Sequence, residues 1–98
     1  MKWRLIIHFG GNLLVNFIKQ DGCVIAYAPA LDLSTYGSDE KEARKNFGEI
    51  LHTFMESFKD ARELDQVLQS LGWEKTENKA WQPPKVTQTE INLDTVFA

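Results

Sequence analysis

Apolar and polar positions alternate along the first third of the chain and then switch to a helical period. In residues 3 to 9, WRLIIHF, Trp3, Leu5, Ile7 and Phe9 fall on one side and Arg4, Ile6 and His8 on the other, which predicts a strand with one strongly apolar face. Gly10-Gly11-Asn12 tolerates positive φ, so a tight hairpin is expected there. Residues 13 to 19, LLVNFIK, form the predicted return strand. Leu13, Val15 and Phe17 share one face, and Leu14 and Ile18 make the other partly apolar, with Asn16 between them. Asp21-Gly22 is a strong hairpin signal, and residues 23 to 28, CVIAYA, are the third predicted strand. Three strands in this order make an antiparallel meander. Apolar side chains on both faces of the second and third strands predict helix over one face and a partner or a late segment over the other.

Pro29 cannot donate to a strand ladder and closes the third strand. Asp39 is the expected N-cap of a helix, with Glu42 completing a capping box and Ser38 as the competing cap. Asp39, Glu40 and Glu42 also place negative charge at the positive end of the helix dipole. Ala43, Phe47, Ile50, Leu51, Phe54, Met55 and Phe58 follow helical spacing, so a long amphipathic helix runs to about Phe58. Lys59-Asp60 interrupts it. Leu64, Val67, Leu68 and Leu71 define a second, shorter helix from about Ala61, ended by Gly72. A fourth strand is expected over residues 73–76, a turn over 77–79 and a stiff extended break at Pro83-Pro84. The tail from Val86 to Phe97 alternates and carries no helical period. It is expected as an edge strand or an arm reaching a second copy. The prediction is an α+β two-layer domain: a three-stranded antiparallel meander, a long helix, a short helix and a fourth strand. Residues 1–98 form a single domain, with 77–98 as an extended C-terminal arm.

Composition narrows the function. Ninety-eight residues, 43% hydrophobic and 26% charged, suit one modest core. The single Cys23 cannot form an internal disulfide, which fits a reducing compartment. Leu5-Ile6-Ile7 is too short for a signal-peptide core, and no apolar run approaches the ~20 residues that span a bilayer. A cytoplasmic chain that does not enter the membrane is expected. The formal net charge is −3, and Lys41, Arg44 and Lys45 lie among Asp39, Glu40, Glu42 and Glu49. That arrangement argues against a phosphate-binding surface and is compatible with a basic protein partner.

The side chains that usually carry catalysis are scattered. Gly10-Gly11 joins two predicted strands, not a strand and a helix, so it does not cradle a phosphate. His8, Cys23 and His52 fall on separate elements, and zinc would need ligands from another copy. Cys23 and His8 are not neighbours in a simple meander, so a Cys-His nucleophile is not expected. Cys23 reads as a buried core thiol, His8 as a half-exposed strand residue and His52 as a helix-flank residue at the surface. Trp3, Tyr27, Tyr36, Trp73 and Trp81 lack a basic groove and read as packing or interface anchors, with Tyr36 and Trp81 expected to be partly exposed. Catalytic residues, metal ligands and cofactors are therefore predicted to be absent.

One stretch is similar to a known signature. Tyr27-Ala28-Pro29-Ala30-Leu31-Asp32-Leu33, then Ser34-Thr35-Tyr36, then Gly37-Ser38-Asp39-Glu40-Lys41-Glu42-Ala43 resembles the HicB-type antitoxin family. There a strand ends near Tyr and Pro, a short Leu-containing link follows, and Gly-Asp-Thr-x-x-Glu-Ala opens a long helix, Asp39 here standing for the capping threonine. Leu68-x-x-Leu71-Gly72-Trp73 also looks like some members, and the likeness covers about residues 3 to 76. The resemblance implies a partial RNase H-like fold without nuclease activity. The nuclease form of that fold carries a carboxylate on its first strand, and residues 2 to 9, KWRLIIHF, contain none. It further implies a homo-oligomer, a dimer or larger, that binds and neutralises a small basic HicA-like mRNA-cleaving toxin. The partner surface is expected at Pro29, Ala30, Leu31, Asp32, Leu33 and Tyr36, with the C-terminal arm. Many members add a DNA-binding domain. The fourteen residues after Pro84 could supply a ribbon-helix-helix strand but not its two helices, so direct DNA binding is not expected. The alternative is an orphan self-associating regulatory or structural domain without enzymatic activity.

Overall fold

The structure, a computed structural model, describes residues 8–97. Its elements are, in chain order, β1 (His8–Phe9), β2 (Asn16–Gln20), β3 (Cys23–Ala28), β4 (Leu33–Gly37), α1 (Glu40–Glu56), α2 (Ala61–Ser70), β5 (Glu74–Lys75), β6 (Ala80–Gln82) and α3 (Leu93–Phe97). They form a mixed α+β arrangement with two small sheets, β2-β3-β4 and β1-β6-β5.

The meander is present, displaced by one strand from the expectation. Residues 3–7 of the predicted first strand lie outside the described residues. His8–Phe9 runs parallel to β6 and does not pair with β2. Two aromatic anchors account for this. The Phe9 ring meets Trp73 edge-on at 6.1 Å, and the Gly10 N–H donates to the Trp81 carbonyl at 2.9 Å. The glycine pair therefore makes no hairpin, and Gly11 (φ 73) instead turns the chain away from the second sheet. The expected Asp-Gly hairpin forms: Asp21 (φ 48) and Gly22 (φ 79) are both left-handed, as a two-residue type I′ turn requires, and Gln20 faces Cys23.

The third strand of the meander is β4, drawn from residues expected to be a link. Pro29 begins a four-residue turn in which the Leu31 N–H donates to the Ala28 carbonyl and the Asp32 N–H to the Pro29 carbonyl, both at 3.2 Å. Asp32 completes the reversal at φ 50, so that Leu33 pairs with Ala28. Gly37 is buried at the far end of β4, where a Cβ would lie 2.4 Å from the Ala43 amide nitrogen. A side chain is excluded there by helix–strand contact, not by backbone conformation. The cap of α1 is reciprocal: Asp39 Oδ1 accepts the Glu42 N–H and Glu42 Oε1 accepts the Ser38 N–H, each at 2.8 Å.

Two apolar clusters meet along α1. Val24, Ala26, Ala28, Ala43 and Phe47 join the meander to the first half of the helix. Ala30, Leu31, Phe58, Leu64, Leu68, Trp73 and Trp81 form the second, between the β3–β4 turn, α2 and the small sheet. Leu13, Leu33 and Leu51 touch both. Asp60 caps α2, its Oδ1 accepting the Glu63 N–H at 3.0 Å. Gly72 (φ 90) ends that helix in a Schellman motif, with the Trp73 N–H donating to Leu68 O at 3.0 Å and the Gly72 N–H to Gln69 O at 3.1 Å.

Three expectations are corrected at the C-terminal end. The fourth strand is only Glu74–Lys75, because Trp73 turns into the core. The arm does not start at residue 77, since Ala80–Gln82 sits in the small sheet between β1 and β5. Trp81, expected to be partly exposed, is 1% exposed: its indole N–H donates to Asp65 Oδ1 at 3.2 Å and Lys75 Nζ lies 5.2 Å from the ring centre. The tail is not wholly extended either. Leu93–Phe97 forms one helical turn capped by Asn92, whose Oδ1 accepts the Thr95 N–H at 3.2 Å.

The two helix-proximal glycines should respond oppositely to alanine. Gly37→Ala is expected to destabilise by ~1–3 kcal/mol, because the backbone of α1 must move. Gly48→Ala, inside α1 with nothing within 4 Å of its added Cβ, should stabilise by ~0.5–1 kcal/mol. Urea unfolding of the two variants beside the parent measures both.

Candidate functional site

The expected partner surface lies on the β3–β4 hairpin, and the structure divides it. Alternation along β3 turns Val24, Ala26 and Ala28 toward α1 and leaves Cys23, Ile25 and Tyr27 on the opposite face. Across the ladder this opposite face carries the rows Asn16–Tyr27–Ser34 and Ile18–Ile25–Tyr36. Tyr36 stands at the end of its row, 69% exposed, while its carbonyl accepts a hydrogen bond from Asn46 Nδ2 at 2.8 Å. That bond covers part of the β4 edge.

At the turn, Pro29 and Leu33 are half-buried and Asp32 is exposed, but Ala30 and Leu31 point inward at 4% exposure each. The Trp73 indole N–H donates to the Ala30 carbonyl at 2.8 Å in a buried setting. Ala30 and Leu31 therefore belong to the packing of the second cluster. Asp32 and Tyr36 are the exposed members of the set, separated by four residues of β4, or roughly 13 Å at ~3.3 Å per residue. No motif signalled the inward turn at Ala30-Leu31. The only cue was two apolar residues in a turn that would otherwise be polar.

Asp32 is tied to the sheet face by the Tyr27 hydroxyl, which donates to Asp32 Oδ1 at 3.1 Å. That hydrogen bond, with partial desolvation and the adjacent carboxylate charge, raises the Tyr27 pKa. At the other end of the sheet, Lys19, Asp21, Cys23, Ser38, Asp39 and Glu40 line a shallow open cleft. Cys23, expected in the core, is half-buried here because it borders the hairpin turn, and its thiol donates to the Gln20 carbonyl at 3.1 Å. His8 is on the other sheet, and His52 lies at the helix surface beside Glu56. Neither approaches Cys23 as a base would have to. Among the described residues no group of three His, Cys, Asp or Glu side chains is placed to hold a metal ion, and no helix is long and apolar enough to cross a membrane.

The chain matches no protein-family model, no curated protein and no solved structure.

Two substitutions probe the turn. Trp73→Phe keeps a ring in the cluster but leaves the buried Ala30 carbonyl without its donor, a loss of ~1–3 kcal/mol by chemical unfolding. For Tyr27, the folded pKa lies above the unfolded one. The stabilisation from its bond to Asp32 is therefore complete below the unfolded value and is lost as pH rises through the folded value. Phenolate absorbance should show a Tyr27 transition above the ordinary 10.0, absent in Tyr27→Phe and shifted down in Asp32→Asn.

Proposed function

We propose that this chain is a non-catalytic, HicB-like antitoxin-type protein of the cytoplasm that binds and neutralises a small basic HicA-like mRNA-cleaving toxin. The observation that carries the reading is the stretch from Tyr27 to Ala43, whose residues occupy a strand, a tight turn, a second strand and a reciprocally capped helix in unbroken order. An antiparallel meander followed by a long helix packed on it is also how an RNase H-like fold opens, and α1 packs against β3 and β4 in that manner.

Chemistry at the same residues favours binding over hydrolysis. Asp32 accepts the Tyr27 hydroxyl, and Glu42 is engaged by the Ser38 amide. The two carboxylates stand at opposite ends of β4, roughly 16 Å apart by its rise per residue, too far to share an ion. The net charge of −3 complements a basic partner. Asp32, Tyr36 and the exposed edges of Pro29 and Leu33 form the contact surface in this reading, and direct DNA binding is not part of it. The second reading, an orphan self-associating domain, draws on the exposed apolar residues Ile91, Leu93, Val96 and Phe97 of the tail.

Co-expression with the small basic protein encoded beside it should restore growth and yield a complex that co-purifies. Asp32→Lys should weaken the complex about tenfold, the scale of a reversed charge contact, and Tyr36→Ala by more than that if it is a central anchor. Failure of both rescue and co-purification overturns the reading. So does RNA cleavage by this chain in Mg²⁺ or Mn²⁺ that Asp32→Asn abolishes.

A further inference from the structure

Two apolar surfaces remain uncovered, and they belong to different ends of the chain. The first is the row Ile18–Ile25–Tyr36, whose outer members are 46% and 69% exposed. The second is the C-terminal segment, where Ile91, Leu93, Val96 and Phe97 are 57% to 82% exposed. Leu93, Val96 and Phe97 stand at i, i+3 and i+4 of α3 and so share one side of it. A helix of five residues with no buried residue has nothing in its own chain to hold it, and isolated helices are marginal below ~12–15 residues. The turn is therefore built to form against an apolar surface.

The tail already passes beside such a surface. Gln88 Nε2 donates to Asn16 Oδ1, and Asn16 begins the row adjacent to Ile18–Ile25–Tyr36. Beyond that contact the apolar side chains of the tail leave their own sheet for solvent. We propose that the occupant of the sheet face is the C-terminal segment of a second copy: two chains exchange their tails, each laying Leu93, Val96 and Phe97 over Ile18, Ile25 and Tyr36 of the other.

The areas match a stable pair. At these exposures the four tail residues with Ile18 and Tyr36 offer on the order of 800 Å² per copy, one partner's share of a standard interface. A two-fold exchange is isologous, so one interface covers both surfaces on both chains. The charges on the segment, Glu90 and Asp94, are sparse enough to stay at the rim. The pairing rests on these surfaces and not on toxin binding: a dimer that neutralises nothing, or a monomer that neutralises the toxin, separates the two proposals.

Analytical ultracentrifugation of the full chain, across low to high micromolar concentration, should show a dimer. Ile18→Asp and the double variant Leu93→Asp, Phe97→Asp should each be monomeric with unchanged far-ultraviolet circular dichroism, since each altered side chain is exposed in the single chain. Mixing the two variants restores one of the two exchanged contacts, so dimer should reappear in the mixture and in neither variant alone. A monomeric parent, or a parent dimer that survives both sets of changes, overturns the proposal. So does loss of dimer in both variants with none regained on mixing.

Discussion

The hydrogen bond from the Trp73 indole to the Ala30 carbonyl, at 2.8 Å and out of water, is the joint on which the two halves depend. It links residues 43 positions apart. On one side is the turn that lets β4 return along β3, and on the other the end of α2 and the start of the small sheet. A carbonyl buried at a turn must find a donor or lose about 1–3 kcal/mol. The tryptophan supplies it while filling space beside Leu31, Leu64 and Leu68. Because the Schellman motif at Gly72 fixes the direction in which Trp73 leaves α2, the helix terminus itself aims the indole.

This joint changes how the β3–β4 turn contributes to function. A turn that projected freely could offer all its residues to a partner. Here Ala30 and Leu31 are used up in the second cluster, so recognition is left to Asp32 at one end of β4 and Tyr36 at the other. The Tyr27–Asp32 bond holds the carboxylate against the sheet face and limits the side-chain entropy lost when a cation meets it. A rigid, mildly acidic surface on a packed scaffold is suited to protein recognition. The tail has the opposite character, with little packing of its own and most of the large exposed apolar residues.

The local signals were legible wherever the physics is local. Asp-Gly made its type I′ hairpin, Asp39 and Glu42 made their reciprocal cap, and Gly72 closed α2, because each is settled by backbone conformation and hydrogen bonding within a few residues. Residues 33–37 were not legible as a strand. Leu33 and Thr35 do alternate with Ser34 and Tyr36, but the stretch is short and polar, and Pro29 read as the end of the sheet when it was the start of a turn within it. Trp81 was misplaced for the same kind of reason: two following prolines suggest a surface segment, whereas its burial depends on Asp65 and Lys75 from distant parts of the chain.

By itself, then, the amino-acid order determined the α+β class, the long capped helix, the shorter second helix and the tight hairpin at Asp21-Gly22, since each follows from periodicity or from the few residues at an element's end. The tertiary structure decided which strands pair, that His8–Phe9 leaves the meander for the parallel edge of β6, and which residues of the 29–36 stretch remain exposed. Those outcomes turn on contacts made across the chain, chiefly by Trp73 and Trp81. A side chain's partners at that separation are set by how whole elements pack, which no short window of sequence contains.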